Sequence, residues 1–284
     1  MNLVAMALFG TLSIFVRGIS LSSLEIAFWR GVIAIAVLFL LRLVTPKSTA
    51  PIPKRQKLVL LLSGMAVGID WALLFAAYQY TSVAVATLAY YFAPVLVMIL
   101  SPILFRERVT AAQGVCFLAA TVGLVLVVAG NQDLSAASLL GVGCSLAAAC
   151  FYACVVLLNK CCPAGSGIDR SILQFTGSSL LLGILIPLRG GFGILECDLP
   201  SLGNLLIVGV VYTGLAYWLY FTSIRDLPGH QTAIFSYVDP VVAILVSAFY
   251  FGEATSVWQW VGALLILGCT AVQQRLADRP PALR

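Results

Sequence analysis

Charge is what this sequence has least of. Only 10% of its 284 residues are Asp, Glu, Lys or Arg, whereas 61% are apolar or aromatic. Soluble globular chains carry about 25% charged and roughly 45–50% apolar residues. So few charges cannot cover the surface of a water-soluble protein of this length. With a mean hydropathy of +1.05, the surplus apolar surface calls for lipid.

Other absences narrow the chemistry. The chain has one histidine, His230, and its eight cysteines form no C-x-x-C, so no zinc, haem or other metal site is expected and no cofactor is called for. Cys116, Cys144, Cys150, Cys154 and Cys269 fall inside apolar runs, where a thiol acts as a small hydrophobe. No G-x-x-x-x-G-K-[ST] occurs, which excludes ATP drive by this chain alone. The net charge of +5 arises in connecting segments with no basic stripe interleaved with aromatics, so nucleic acid is not an expected partner. Apolar runs without strict alternation exclude a closed barrel, leaving helices as the spanning solution. Residues 3–16 resemble the core of a signal peptide but lack a preceding basic segment and a following small-residue cleavage pattern, and read as a first, short membrane helix.

What is present is a succession of apolar runs. A bilayer core about 30 Å thick needs roughly 20 helical residues. Ten spans follow, near 2–18, 22–43, 58–80, 82–104, 110–129, 136–158, 168–189, 202–224, 230–251 and 256–274, an all-α integral membrane fold. With the N-terminus in the cytoplasm, Arg42, Lys47, Lys54, Arg55, Lys57, Arg106, Arg108, Lys160, Arg170, Arg225, Arg275, Arg279 and Arg284 all fall on the inner side. Arg17 and Arg189 fall on the outer side and Arg30 lies within a span. The positive-inside rule therefore predicts both termini in the cytoplasm.

Sliding the chain by 146 positions pairs Tyr91 with Tyr237, Pro94-Val95 with Pro240-Val241, Glu107 with Glu253, and Gln113 with Gln259. Residues 1–130 and 136–275 thus read as two five-helix repeats, followed by a cytoplasmic tail over 276–284. Five is odd, so the second repeat would enter the membrane inverted, the arrangement found in many secondary transporters.

Asp70-Trp71, Tyr90-Tyr91-Phe92-Ala93-Pro94 and Phe105-Arg106-Glu107-Arg108 together resemble the drug/metabolite transporter superfamily, EamA type. So do Ser236-Tyr237-Val238-Asp239-Pro240, Phe251-Gly252-Glu253 and Phe28-Trp29-Arg30-Gly31, and the resemblance extends over the whole chain. It implies a carrier, most often a bacterial inner-membrane exporter of amino acids or other metabolites. It also implies a central cavity, with the fifth and tenth helices peripheral.

Ionisable side chains in the bilayer centre carry a penalty of about 2.5–3.5 kcal/mol on the translocon scale, so each needs a reason. Arg30 and Asp70 fall at similar depths on antiparallel neighbours, which predicts a pair. Two readings stand: a structural salt bridge, or a switchable site in which Asp70 takes a proton or Arg30 holds a substrate carboxylate. Asp239 shares a helix face with Thr232 and Ser236. Pro240 and Pro94 each remove a backbone donor, freeing a carbonyl one turn earlier that can line a cavity. Trp71, Tyr90, Tyr91, Tyr217 and Tyr237 are candidates for stacking or gating, while Tyr80, Trp258 and Trp260 fit an interfacial belt. Glu107 and Glu253 read as turn caps or gate residues, and Gly64 and Gly68 as a close-packing seam.

The expected function is secondary transport, by alternating access, of a small solute such as an amino acid. Protons and no ion at all are both compatible with the residues as the coupling choice. Efflux of drugs or lipophilic cations, or lipid flipping on the same fold, is the alternative. An integral membrane enzyme would need a catalytic cluster that the scattered acids and single histidine do not supply.

Overall fold

A computed structural model describes residues 2–44, 51–105, 111–130, 135–224 and 238–277. Among them there are helices and no strands. Helix α1 covers Asn2–Val16, α2 Ser23–Val44, α3 Lys54–Tyr80, α4 Val83–Tyr90, α5 Ala93–Phe105 and α6 Ala111–Ala129. The chain continues with α7 (Ala136–Lys160), α8 (Gly167–Leu188), α9 (Leu199–Ile207), α10 (Ala216–Ile224), α11 (Val238–Leu245) and α12 (Val257–Ala277). A π-helical segment, Val208–Leu215, joins α9 to α10, and a second, Val246–Tyr250, prolongs α11. With α4–α5 and α9–α10 each counted as one crossing, the described helices make the ten spans of a helical membrane fold.

Local chemistry sets the boundaries. Short polar side chains accept the first free amides of several helices: Ser82 for α4, Ser135 for α7, Ser166 for α8 and Asp198 for α9. Ser22 and Glu25 bond reciprocally at the start of α2, a capping box, and Glu25 also receives the Gly193 amide at 2.6 Å.

The fourth span differs from the continuous helix expected over 82–104. It breaks at Tyr91–Phe92 into α4 and α5. Pro94 stands in the first turn of α5, where the amide it lacks would have had no intrahelical partner. Its effect is to start a new helix rather than to kink one. Pro240 lies in α11, close to the point where the described residues resume at Val238.

Packing centres on α3, which lies against α7, α8 and α2, while the α9–α10 stretch lies against α2 and α1. Gly64 faces α8 so closely that an added Cβ would sit 2.0 Å from the Gln174 carbonyl oxygen. At Gly177 the corresponding distance to the Leu61 oxygen is 2.1 Å. Gly64 and Gly68 therefore form a seam within the chain, onto α8. Helices α6 and α12 pack on each other through Gly123 and Gly262 and otherwise touch mainly α4 and α5. Outward-facing side chains such as Leu43, Leu188 and Leu264 are strongly exposed, as a lipid-facing surface requires.

Candidate functional site

Arg30 and Asp70 are both almost fully buried, at 3% and 1% exposure. They do not form the pair their depths predict: among the described residues no ion pair joins them. Arg30 instead donates from Nε to the Thr213 hydroxyl at 2.6 Å, and its guanidinium carbon lies 4.0 Å from the centre of the Trp71 ring and 5.3 Å from that of Phe75. Stacking of this kind stabilises a desolvated guanidinium by about 2 kcal/mol.

Asp70 receives the Tyr90 hydroxyl on Oδ2 at 3.3 Å, while its Oδ1 is buried with no hydrogen-bond partner among the described residues. Leaving such an oxygen unmatched costs about 1–3 kcal/mol or more. A buried cation held off by rings and a buried carboxylate with an open oxygen thus lie in the same interior.

Aromatic rings extend this core. Trp71 packs on Phe175 and Phe175 on Tyr217, with centroids 5.1 and 5.2 Å apart, and Tyr217 meets Phe9 of α1 at 5.4 Å. Tyr90 meets Tyr152 of α7 at 5.6 Å and Tyr91 at 6.4 Å. The Tyr91 hydroxyl donates to Asp239 Oδ2 at 2.8 Å, tying the α4–α5 break to α11. Ser236, Tyr237, Thr232 and Glu107 lie outside the described residues.

The structure thus brings together Arg30, Asp70, Trp71, Tyr90, Tyr91, Tyr217 and Asp239, drawn from α2, α3, the fourth span, α10 and α11. Thr213, Phe75, Tyr152 and Phe175 join them and were not singled out from the sequence. The one available hint was Thr213 as a small hydroxyl residue, beside Tyr212, between Gly209 and Gly214, both of which press against side chains of α2.

A second polar assembly lies at one end of the bundle. Arg17, just after α1, donates to the carbonyls of Tyr78 and Thr81 at 2.7 and 2.8 Å and pairs with Glu253 at 2.6 Å. Glu253 also accepts the Val83 amide at 2.9 Å and the Ser247 hydroxyl. A cation therefore caps the C-terminus of α3 and an anion caps the N-terminus of α4, each where the helix dipole favours it.

Ten apolar spans around a buried interior that contains opposed charges describe a membrane carrier, and comparison with known sequences supports this. The sequence pattern of the EamA-like transporter family matches residues 1–129 and again 139–272. The chain belongs to that family. An uncharacterized transporter, YxxF, of Bacillus subtilis (strain 168) is 31% identical over 277 residues, covering 95% of this chain and 86% of that protein. An uncharacterized transporter of Archaeoglobus fulgidus is 29% identical over 273 residues, covering 94% and 93%. Human solute carrier family 35 member G1 is 25% identical over 230 residues, covering 76% of this chain and 61% of its own. A protein crystal structure with 18% identity superposes with a TM-score of 0.65 over 98% of this chain and 97% of that one, a likeness of fold. This EamA-like protein is thus an integral membrane transporter of a small-molecule solute, and its charged and aromatic interior is its candidate binding site.

Proposed function

We propose that this EamA-like transporter exports small zwitterionic metabolites of the amino-acid type across a bacterial inner membrane. Both termini are cytoplasmic in this reading, and the central site opens alternately to each side. The observation that carries the proposal is the separated state of Arg30 and Asp70. Each is buried, and the described residues leave the terminal nitrogens of one and Oδ1 of the other without a hydrogen bond. A solute carboxylate at Arg30 and an ammonium at Asp70 would supply both missing partners, and the rings of Trp71, Phe175 and Tyr217 would line its apolar part. A solute of one charge would leave the other group unmatched.

Alternating access is supported by paired packing. The contact of α3 with α7 and α8 has its counterpart, five spans on, in the contact of the α9–α10 stretch with α1 and α2. Halves spanning 1–130 and 136–275 that pack reciprocally in this way can exchange conformations about a fixed centre. The orientation rests on the basic loops. Asp70 and Asp239 are the candidate carriers of a coupling proton.

The test is counterflow. Liposomes containing the purified protein and a pool of unlabelled amino acids should transiently accumulate external labelled ones above the equilibrium level. Asp70→Asn should abolish this accumulation while keeping the wild-type melting curve. Accumulation of lipophilic cations or lipids in place of amino acids would support the alternative substrate classes and overturn the proposal.

A further inference from the structure

Thr213 is fully buried in the π-helical segment Val208–Leu215. Its hydroxyl has one proton to donate and lone pairs to accept with. The Thr213 Oγ1 to Val208 oxygen distance is 2.8 Å, five residues back, the spacing of a π turn. A carbonyl cannot donate, so the hydroxyl proton must lie on this bond. Its lone pairs then face the opposite way, where Arg30 Nε donates at 2.6 Å. The polarity of the chain from Arg30 through Thr213 to Val208 is fixed by its two ends.

This bond complements the ring stacking. Contact with Trp71 at 4.0 Å fixes the plane of the guanidinium. The Nε–Thr213 bond fixes its rotation within that plane. The terminal nitrogens carry no hydrogen bond among the described residues, so these two contacts orient the group and leave its fork open. The repeat-related positions do not reproduce the arrangement. The position 146 residues before Thr213 is Val67, a hydrocarbon side chain in α3, and the position 146 after Arg30 is Thr176, whose hydroxyl lies 2.7 Å from the Ile172 oxygen of its own helix.

We infer that Thr213 is a positioning residue for the solute's anionic group, aiming Arg30 and so setting the preference for solutes that carry a carboxylate. The inference rests on the proposed role of Arg30 as the carboxylate seat. Thr213 touches Arg30 and acts on the solute through it.

The test uses the full chain in liposomes and measures counterflow of labelled L-phenylalanine, competed by unlabelled L-phenylalanine or by L-phenylalaninamide, which lacks the carboxylate. The quantity read is the ratio of the two half-inhibitory concentrations. Wild type should favour the amino acid. Thr213→Val and Thr213→Ala should each reduce the ratio by roughly tenfold, the effect of losing one charge-assisted hydrogen bond. Thr213→Ser, which restores the hydroxyl, should recover it. Melting curves identify any variant that fails to fold, and the Ala and Ser pair is decisive if Val does not fold. A wild-type ratio in folded Val or Ala variants, or no recovery in Ser, overturns the inference. If Arg30→Gln erases the preference while the Thr213 variants keep it, only the inference falls. If wild type shows no preference for the carboxylate, the reading of Arg30 falls with it.

Discussion

Replacing Glu253 by glutamine removes one charge from the junction that ties α1, α3, α4 and the turn before α12 together. The carboxylate takes Arg17 at 2.6 Å, the Val83 amide at 2.9 Å and the Ser247 hydroxyl. Hydrogen bonds to charged groups contribute about 1.5–3 kcal/mol each. Both side chains are about one-fifth exposed, so solvent screens the pair and the lower part of that range applies. Glutamine keeps one acceptor oxygen, and Arg17 keeps the Tyr78 and Thr81 carbonyls, so the fold should survive. A loss of about 2 kcal/mol confined to the closed state shifts its ratio to the open state by roughly 30-fold.

The assay is the labelling rate of Val83→Cys, a fully buried position in the closed junction, in a background with the native cysteines replaced. A membrane-impermeant maleimide is added on the side opposite the basic loops. Glu253→Gln should raise the rate by roughly 30-fold. Arg17→Gln should do likewise, and the double variant should show less than the sum of the two. An unchanged rate in a variant with a wild-type melting curve would show that the junction is a helix cap and not a gate.

Other perturbations give equally definite expectations. Gly177→Ala should lower the melting temperature sharply, since its Cβ would meet a backbone oxygen at 2.1 Å and overpacking costs about 1–3 kcal/mol or more; Gly143→Ala, with nothing within 4 Å, should leave it unchanged. Tyr91→Phe removes the hydroxyl on Asp239 and should weaken counterflow by roughly tenfold without unfolding the protein, a result that would fail if transport were unaffected. The Asp198 carboxylate, in the connection before α9, is held below the ordinary aspartate value of 3.8 by hydrogen bonds from Ser201 and Ser20. A depressed acid stabilises the fold above its unfolded value and loses that contribution as pH falls through the folded one. Asp198→Asn should therefore melt earlier than wild type at neutral pH, and the gap should close as the pH is taken below 3.8, followed by thermal melts across that range.

Hydropathy made the ten spans legible because each must bring its apolar length across lipid alone. The break at Tyr91–Phe92 was harder to see: Pro94 announces a disturbed ladder, but whether the helix bends or restarts depends on what its neighbours offer the freed groups. The π segments left no mark, because one extra residue in a turn barely disturbs a periodicity averaged over two turns. Counting residues from the helix ends placed Arg30 and Asp70 at one depth. It could not supply their azimuth, and Trp71, next in sequence to Asp70, took the guanidinium face instead. The 146-residue register aligned Tyr91 with Tyr237 but gave no sign that the Tyr91 hydroxyl reaches Asp239, because a sequence repeat records equivalence and not contact.

Backbone contact at Gly64 and Gly177 has a mechanical consequence. With no side-chain cushion between them, α3 and α8 cannot slide or roll without lifting apart, so they act as a single beam. That beam carries Asp70, Trp71 and Phe175 and supplies a stiff wall. The interrupted fourth span and the wide turn beneath Tyr217 have no such backbone-to-backbone lock among the described glycines, since Gly209 and Gly214 meet side chains of α2, and would yield first. A solute would be read for shape against the stiff side and accommodated by the soft one.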